Sequence, residues 1–241
     1  MTRRQGIKAI GFVLVLALCL GVANKLLFPF SKEDTNQSKT FYMEEENTVD
    51  VVVMGTSLMM MSFNPLRMYD QTGITAYNRA CSACPPQLAY LIFEETLETQ
   101  KPKVLAISGG ALVIQYDYAH REGLVRRGID YRKNSELKYE VVKDIVKQAK
   151  AQDPDSKQTV QSFYFPLLRY HSRWPEVIWY GPDDFTFKHD YRHGYYATFR
   201  TGDTPDTSEK SMQSTKKYHV DETTRYWYGK IIEECKANDI E

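Results

Sequence analysis

Three basic residues, Arg3, Arg4 and Lys8, stand ahead of the apolar run A-I-G-F-V-L-V-L-A-L-C-L-G-V-A, residues 9–23. Asn24 and Lys25 interrupt it, and a second short apolar run covers 26–30. A positive segment followed by an apolar one is the layout of a signal peptide or signal anchor. From Ala9 to Phe30 the stretch has about the ~20 residues that a helix needs to cross a bilayer. Gly21-Val22-Ala23 offers small residues for cleavage, yet 26–30 carries the apolar run beyond that point. An uncleaved single-pass transmembrane helix over residues 1–30 is therefore expected. The basic flank lies on its N-terminal side, so the positive-inside rule puts residues 31 onward on the extracytoplasmic side.

Residues 31–48 are polar and read as a linker from the membrane to a domain spanning 49–241. That domain opens on V-V-V-M, residues 51–54, an apolar run cut off by Gly55-Thr56-Ser57. Such a run broken by glycine reads as a buried strand. Asn64-Pro65 caps a short helix, 74–77 reads as a second strand, and 86–99 as an amphipathic helix. Val104-Leu-Ala-Ile107 reads as a third strand, stopped by Ser108-Gly-Gly110. Strands and helices alternating at this spacing predict an α/β fold, a doubly wound, mostly parallel sheet flanked by helices. Further on, 134–152 reads as a charged surface helix, 157–172 as a helix interrupted at Pro166, 201–220 as a long loop and 221–236 as a final helix. A helix of that kind normally feeds another strand, so the domain is expected to be incomplete at its C-terminus.

Lys plus Arg equals Asp plus Glu, 31 of each, which argues against a nucleic-acid binder. Aromatics are plentiful, with 17 Tyr and 11 Phe in the chain, and their clustering between residues 163 and 200 suggests a packed core or a groove there.

The loops after the three strands, 55–58, 78–84 and 108–110, all fall at strand carboxyl ends, where such sheets bind ligands. That coincidence singles out Ser57. In order and spacing, several segments resemble the SGNH/GDSL hydrolase superfamily, in its extracytoplasmic, membrane-anchored branch related to the DltD and alginate O-acetylation proteins. They are the strand ending in G-T-S with Pro65 after it, Gly73-Ile-Thr-Ala-Tyr-Asn78, the stretch T-L-E-T-Q-K-P-K-V-L and the aromatic segment F-P-L-L-R-Y-H-S-R-W at 165–174. The resemblance covers residues 49 to about 202. It implies an SGNH/flavodoxin-like fold and a serine esterase or O-acyltransferase that needs no organic cofactor and no metal. Its substrate would be an acylated cell-envelope polysaccharide. Carried over, Ser57 is the nucleophile, and the backbone N–H of Ala83, where the family has glycine, joins that of Ser57 in an oxyanion hole. The family's third-block asparagine has no counterpart at 108–110. A D-x-x-H motif, Asp190-Tyr-Arg-His193, offers an acid and a base, although the family's lies just before its last helix. By that pattern the true pair is expected beyond residue 241. The alternative is a non-catalytic envelope glycan-binding or assembly protein on a degenerate hydrolase fold.

Other groups carry weaker readings. Cys81-Ser-Ala-Cys84 admits a thiol–disulfide role, and Met59-Met60-Met61 either an acyl pocket or core filling. His171 and Arg173 admit a sugar or anion contact, or a helix end with a packed Trp174.

Overall fold

The computed structural model describes residues 2–28, 40–180, 191–196 and 218–241. Numbered in chain order, its helices and strands are α1 (Arg3–Leu27), β1 (Val51–Met54), α2 (Ser57–Ser62), α3 (Pro65–Thr72), β2 (Ala76–Asn78), α4 (Pro86–Leu97) and β3 (Val104–Ile107). After these come α5 (Glu122–Ile129), α6 (Glu136–Gln152), α7 (Val160–Tyr164), α8 (Leu167–Tyr170), α9 (Trp174–Tyr180) and α10 (Glu222–Ala237). The fold is mixed α/β: a small open sheet of three parallel strands, in the order β2-β1-β3, flanked by helices. One apolar N-terminal helix, α1, is long enough to cross a membrane and has no fully buried residue; only its last turn touches the rest of the described chain.

Alternation along β1 explains why both faces of the sheet are covered. Val52 and Met54 enter the larger core with α4, α6 and α10. Val51 and Val53 enter a second core with Ala76, packed against Met59 of α2, Phe63 just after it and Met68 of α3. Met59 is thus a core filler, as the bland reading of the methionines has it. Helix α4, read as amphipathic, is buried almost all round because α6 and α10 both pack on it. Asp50 holds the strand starts together: its carboxylate accepts from Lys103 Nζ (2.7 Å) and Thr75 Oγ1 (2.8 Å). Those bonds hold its carboxyl below the usual carboxylate range.

Three stretches differ from the sequence reading. The segment taken as linker joins the domain from Thr40: a 3₁₀ turn, Phe41–Met43, buries Phe41 completely beside Tyr77. Helix α6, read as a charged surface helix, buries Lys138, whose ammonium donates to the Arg132 carbonyl (2.8 Å) and Asn134 Oδ1 (3.2 Å). Trp174, read as packed, is 59 % exposed. The loop expected at 201–220 falls almost wholly outside the described residues.

Gly55 ends β1 at φ 157°, and a Cβ there would lie 2.8 Å from Ser108 Cβ on the neighbouring loop. That backbone region is almost restricted to glycine, and the closeness of the two loops leaves no room for a methyl group. Gly55→Ala is expected to cost at least about 2 kcal/mol, read as a lower urea midpoint at unchanged slope. An unchanged midpoint would show that the strand-to-helix turn tolerates a side chain.

Candidate active site at the strand carboxyl ends

Asn78, fully buried at the end of β2, fixes the turn that carries Ser57. Its Nδ2 donates to the carbonyls of Met59 and Phe63, both at 3.0 Å, and its Oδ1 accepts from Ala80 N at 3.1 Å. Cys81 N donates to the Gly55 carbonyl at 3.1 Å. The loops after β1 and β2 are therefore one hydrogen-bonded unit. Beneath it Glu95 of α4 gathers three partners: Arg132, Tyr42 Oη at 2.6 Å, and Arg79 at 3.8 Å. The Arg79 guanidinium also lies over the Phe41 ring, 3.9 Å from its centroid. This anchors the first residue of the loop that leads to Ala83.

Ser57 and Ala83 line one open cavity of about 530 Å³ with Thr56, Ser82, Tyr116 and Asp117. Ile114, Gln115, Arg121 and Leu124 complete it. It sits outside the carboxyl ends of the strands, with β1 flanked by β2 and β3, the position where open α/β sheets bind ligands. Ser57 and Ala83 are half-buried. Ala83 holds φ 45°, the left-handed region. An L-residue there costs roughly 1–2 kcal/mol, so alanine stands in a conformation that suits the glycine of the resembling family. Tyr116 donates its hydroxyl to the Cys84 carbonyl. Burial pushes its phenol well up, so it remains a donor at neutral pH. Cys81 and Cys84 are buried, and no disulfide joins them.

The third loop brings a pair that the sequence reading missed. Asp117-Tyr-Ala-His120 is itself a D-x-x-H motif, and its spacing was there to be found. Asp117 lines the Ser57 cavity. Its Oδ1 lies 3.0 Å from His120 Nδ1 and 3.0 Å from the His120 backbone N–H. The backbone bond, more than the ring, holds the Asp117 carboxyl below the usual carboxylate range. His120 itself is not among the lining residues, and 75 % of its side chain is exposed. Among the described residues Ser57 Oγ makes no hydrogen bond.

Of the pair taken from the sequence, His193 is not brought to this cavity. Asp190 lies outside the described residues. His193 lines a different cavity, of about 460 Å³, with Glu44, Pro65, Tyr69 and Thr75. Its backbone carbonyl accepts from Asn78 N (2.9 Å) and its Nδ1 lies 3.2 Å from Glu44 Oε1. Gly194 explains the close approach: a Cβ there would fall 2.0 Å from the Asn78 carbonyl oxygen. The 191–196 turn thus lies along the edge of β2 and turns the His193 ring towards Tyr77 and Glu44. Among the described residues no group of three or more His, Cys, Asp or Glu is gathered to hold a metal ion. No protein-family model matches the chain, and neither a curated protein nor a solved structure matches it.

Proposed function

We propose that this chain is a membrane-anchored, SGNH-type serine esterase or O-acyltransferase that acts on acyl groups of extracytoplasmic, cell-envelope polysaccharide. The observation that carries the reading is the shared cavity of Ser57, Ala83 and Asp117 at the carboxyl ends of β1, β2 and β3. Ser57 Oγ attacks the ester carbonyl carbon, and the C–O bond to the sugar breaks to leave an acyl-enzyme. The backbone N–H groups of Ser57 and Ala83 stabilise the oxyanion. His120, oriented through Nδ1 by Asp117, takes the serine proton at Nε2 and returns it to the leaving sugar hydroxyl. Water or an acceptor hydroxyl then removes the acyl group. Catalytic hydrogen bonds are often long or poorly aligned in unliganded enzymes and tighten with substrate, and the bond from Ser57 Oγ to His120 would form in this way. Ile114 and Leu124 give the cavity an apolar wall suited to a short acyl chain.

The test is acetate release from p-nitrophenyl acetate and from an O-acetylated polysaccharide by the full chain in detergent. Release from both by the parent, falling to the uncatalysed rate in Ser57→Ala, is expected. Release that is equal in the two proteins, or absent from the parent, turns the assignment towards a binding or assembly protein on the same fold.

A further inference from the structure

We propose that the face formed by α8, the 3₁₀ turn His171–Arg173 and α9 lies on the membrane, in the interfacial layer of the bilayer that α1 crosses. The inference rests on α1 being inserted and goes beyond it, because it gives the folded domain a second, peripheral contact with lipid.

The described residues of this face expose large apolar side chains beside the charged Arg169 and Glu176. Phe165, Leu168, Trp174, Ile178 and Trp179 are 59–80 % exposed. Trp174 and Ile178 are four residues apart on α9 and share one side of it. By contrast Trp227, the third tryptophan of the chain, is buried beside Tyr90. Two exposed tryptophans among aliphatic side chains are costly in water, but they suit the headgroup boundary, where amphipathic rings collect.

The end of α1 says what covers this face. Asn24 Oδ1 accepts from Leu167 N at 3.0 Å, and the Leu27 carbonyl accepts from Arg173 Nη1 at 2.9 Å. Phe28 packs edge-on to Tyr170, with ring centroids 6.0 Å apart. With 25 residues, α1 is ~37 Å long at ~1.5 Å per residue. That exceeds the ~30 Å hydrocarbon thickness, so its last turn emerges at the boundary between hydrocarbon and headgroups. The segment bonded to that turn is held at the same depth. Asn24 and Lys25, which interrupt the apolar run, fall at this level. A second copy of the chain or an integral membrane protein would have to displace lipid already in contact with α1.

The full chain is reconstituted in phosphatidylcholine vesicles, with and without dibrominated acyl chains, and tryptophan fluorescence is compared. Labelling of Cys19, in the middle of α1, by a membrane-impermeant maleimide reports insertion independently. With Cys19 protected, bromolipid is expected to quench a major part of the parent emission. It should leave Trp174→Phe/Trp179→Phe, which retains Trp227 alone, unquenched. Both replacements are at exposed positions, and an unchanged far-ultraviolet spectrum verifies the fold. Protected Cys19 with no quenching in the parent overturns the proposal and leaves the face to a protein partner or a second copy. So does equal fractional quenching in the double variant. Reactive Cys19 overturns it together with the anchor on which it rests.

Discussion

His120→Ala is expected to slow Ser57-dependent ester hydrolysis about 10²–10⁴-fold, and His193→Ala to leave it at the parent rate. The two histidines each end a D-x-x-H motif, so spacing alone does not separate them. Geometry does. Asp117, the partner of His120, lines the cavity that holds Ser57 and Ala83. His193 turns to Glu44 in another cavity. Since Nδ1 of His120 is engaged by the carboxylate, Nε2 is the nitrogen left to take the serine proton. Asp117→Asn is expected to slow the reaction in the same direction, because an amide no longer stabilises the imidazolium. Asp117 is held in its charged form by the His120 backbone N–H and ring. Its contribution is thus present at neutral pH and is lost as pH falls through its lowered value. Initial rates with p-nitrophenyl acetate decide the matter. A slow His193→Ala protein beside a fast His120→Ala protein would reverse the assignment.

Glu95→Ala is expected to be the most damaging single change outside the cavity, at about 3–5 kcal/mol. The Glu95 carboxylate faces Arg132, whose side chain is fully buried, and Arg79, whose side chain is 1 % exposed. Truncating it leaves two guanidinium groups in the interior without their shared counter-charge, and takes the acceptor from Tyr42 Oη. The arginines retain other bonds, Arg132 to the Gly128 carbonyl at 2.6 Å and Arg79 to Thr96 Oγ1 at 3.2 Å. For Arg132, whose side chain is fully buried, the bond to a neutral carbonyl holds the side chain in place but does not neutralise it. Urea unfolding of the chain in detergent, followed by near-ultraviolet dichroism, gives the size of the loss. A change below about 1 kcal/mol would show that water reaches the pair as at a surface salt bridge.

The sheet was legible because buried parallel strands are continuous apolar runs. Residues 51–54 become β1, buried throughout, and 104–107 become β3, which as an edge strand is only partly buried and exposes Ala106; Asn64 caps α3 through Arg67 N at 3.2 Å. Less legible were the places where polar residues go inside. Lys138, Arg126 and Arg132 look like surface charges in one dimension. Their burial depends on partners such as Glu95, Asp130 and the Ser162 carbonyl, which only the folded chain assembles. Phe41 looked like part of a polar linker for the same reason: its pocket is made by Tyr77 and Arg79, far along the chain. The three-loop site was visible as three strand ends. The candidate pair Asp117 and His120 was not, although both stood in the sequence, because a motif with two fixed positions was sought late in the chain. Exposure of Trp174 ran against its residue type.

The central claim is that Ser57 is an activated nucleophile. Its most direct test is incubation of the full chain with a fluorophosphonate, followed by intact mass and peptide mapping beside Ser57→Ala. A single phosphonyl adduct on Ser57, absent from the alanine protein, is the expected result. A parent chain that remains unmodified while a serine hydrolase in the same tube is labelled would contradict the account and leave Ser57 as the first residue of a short helix.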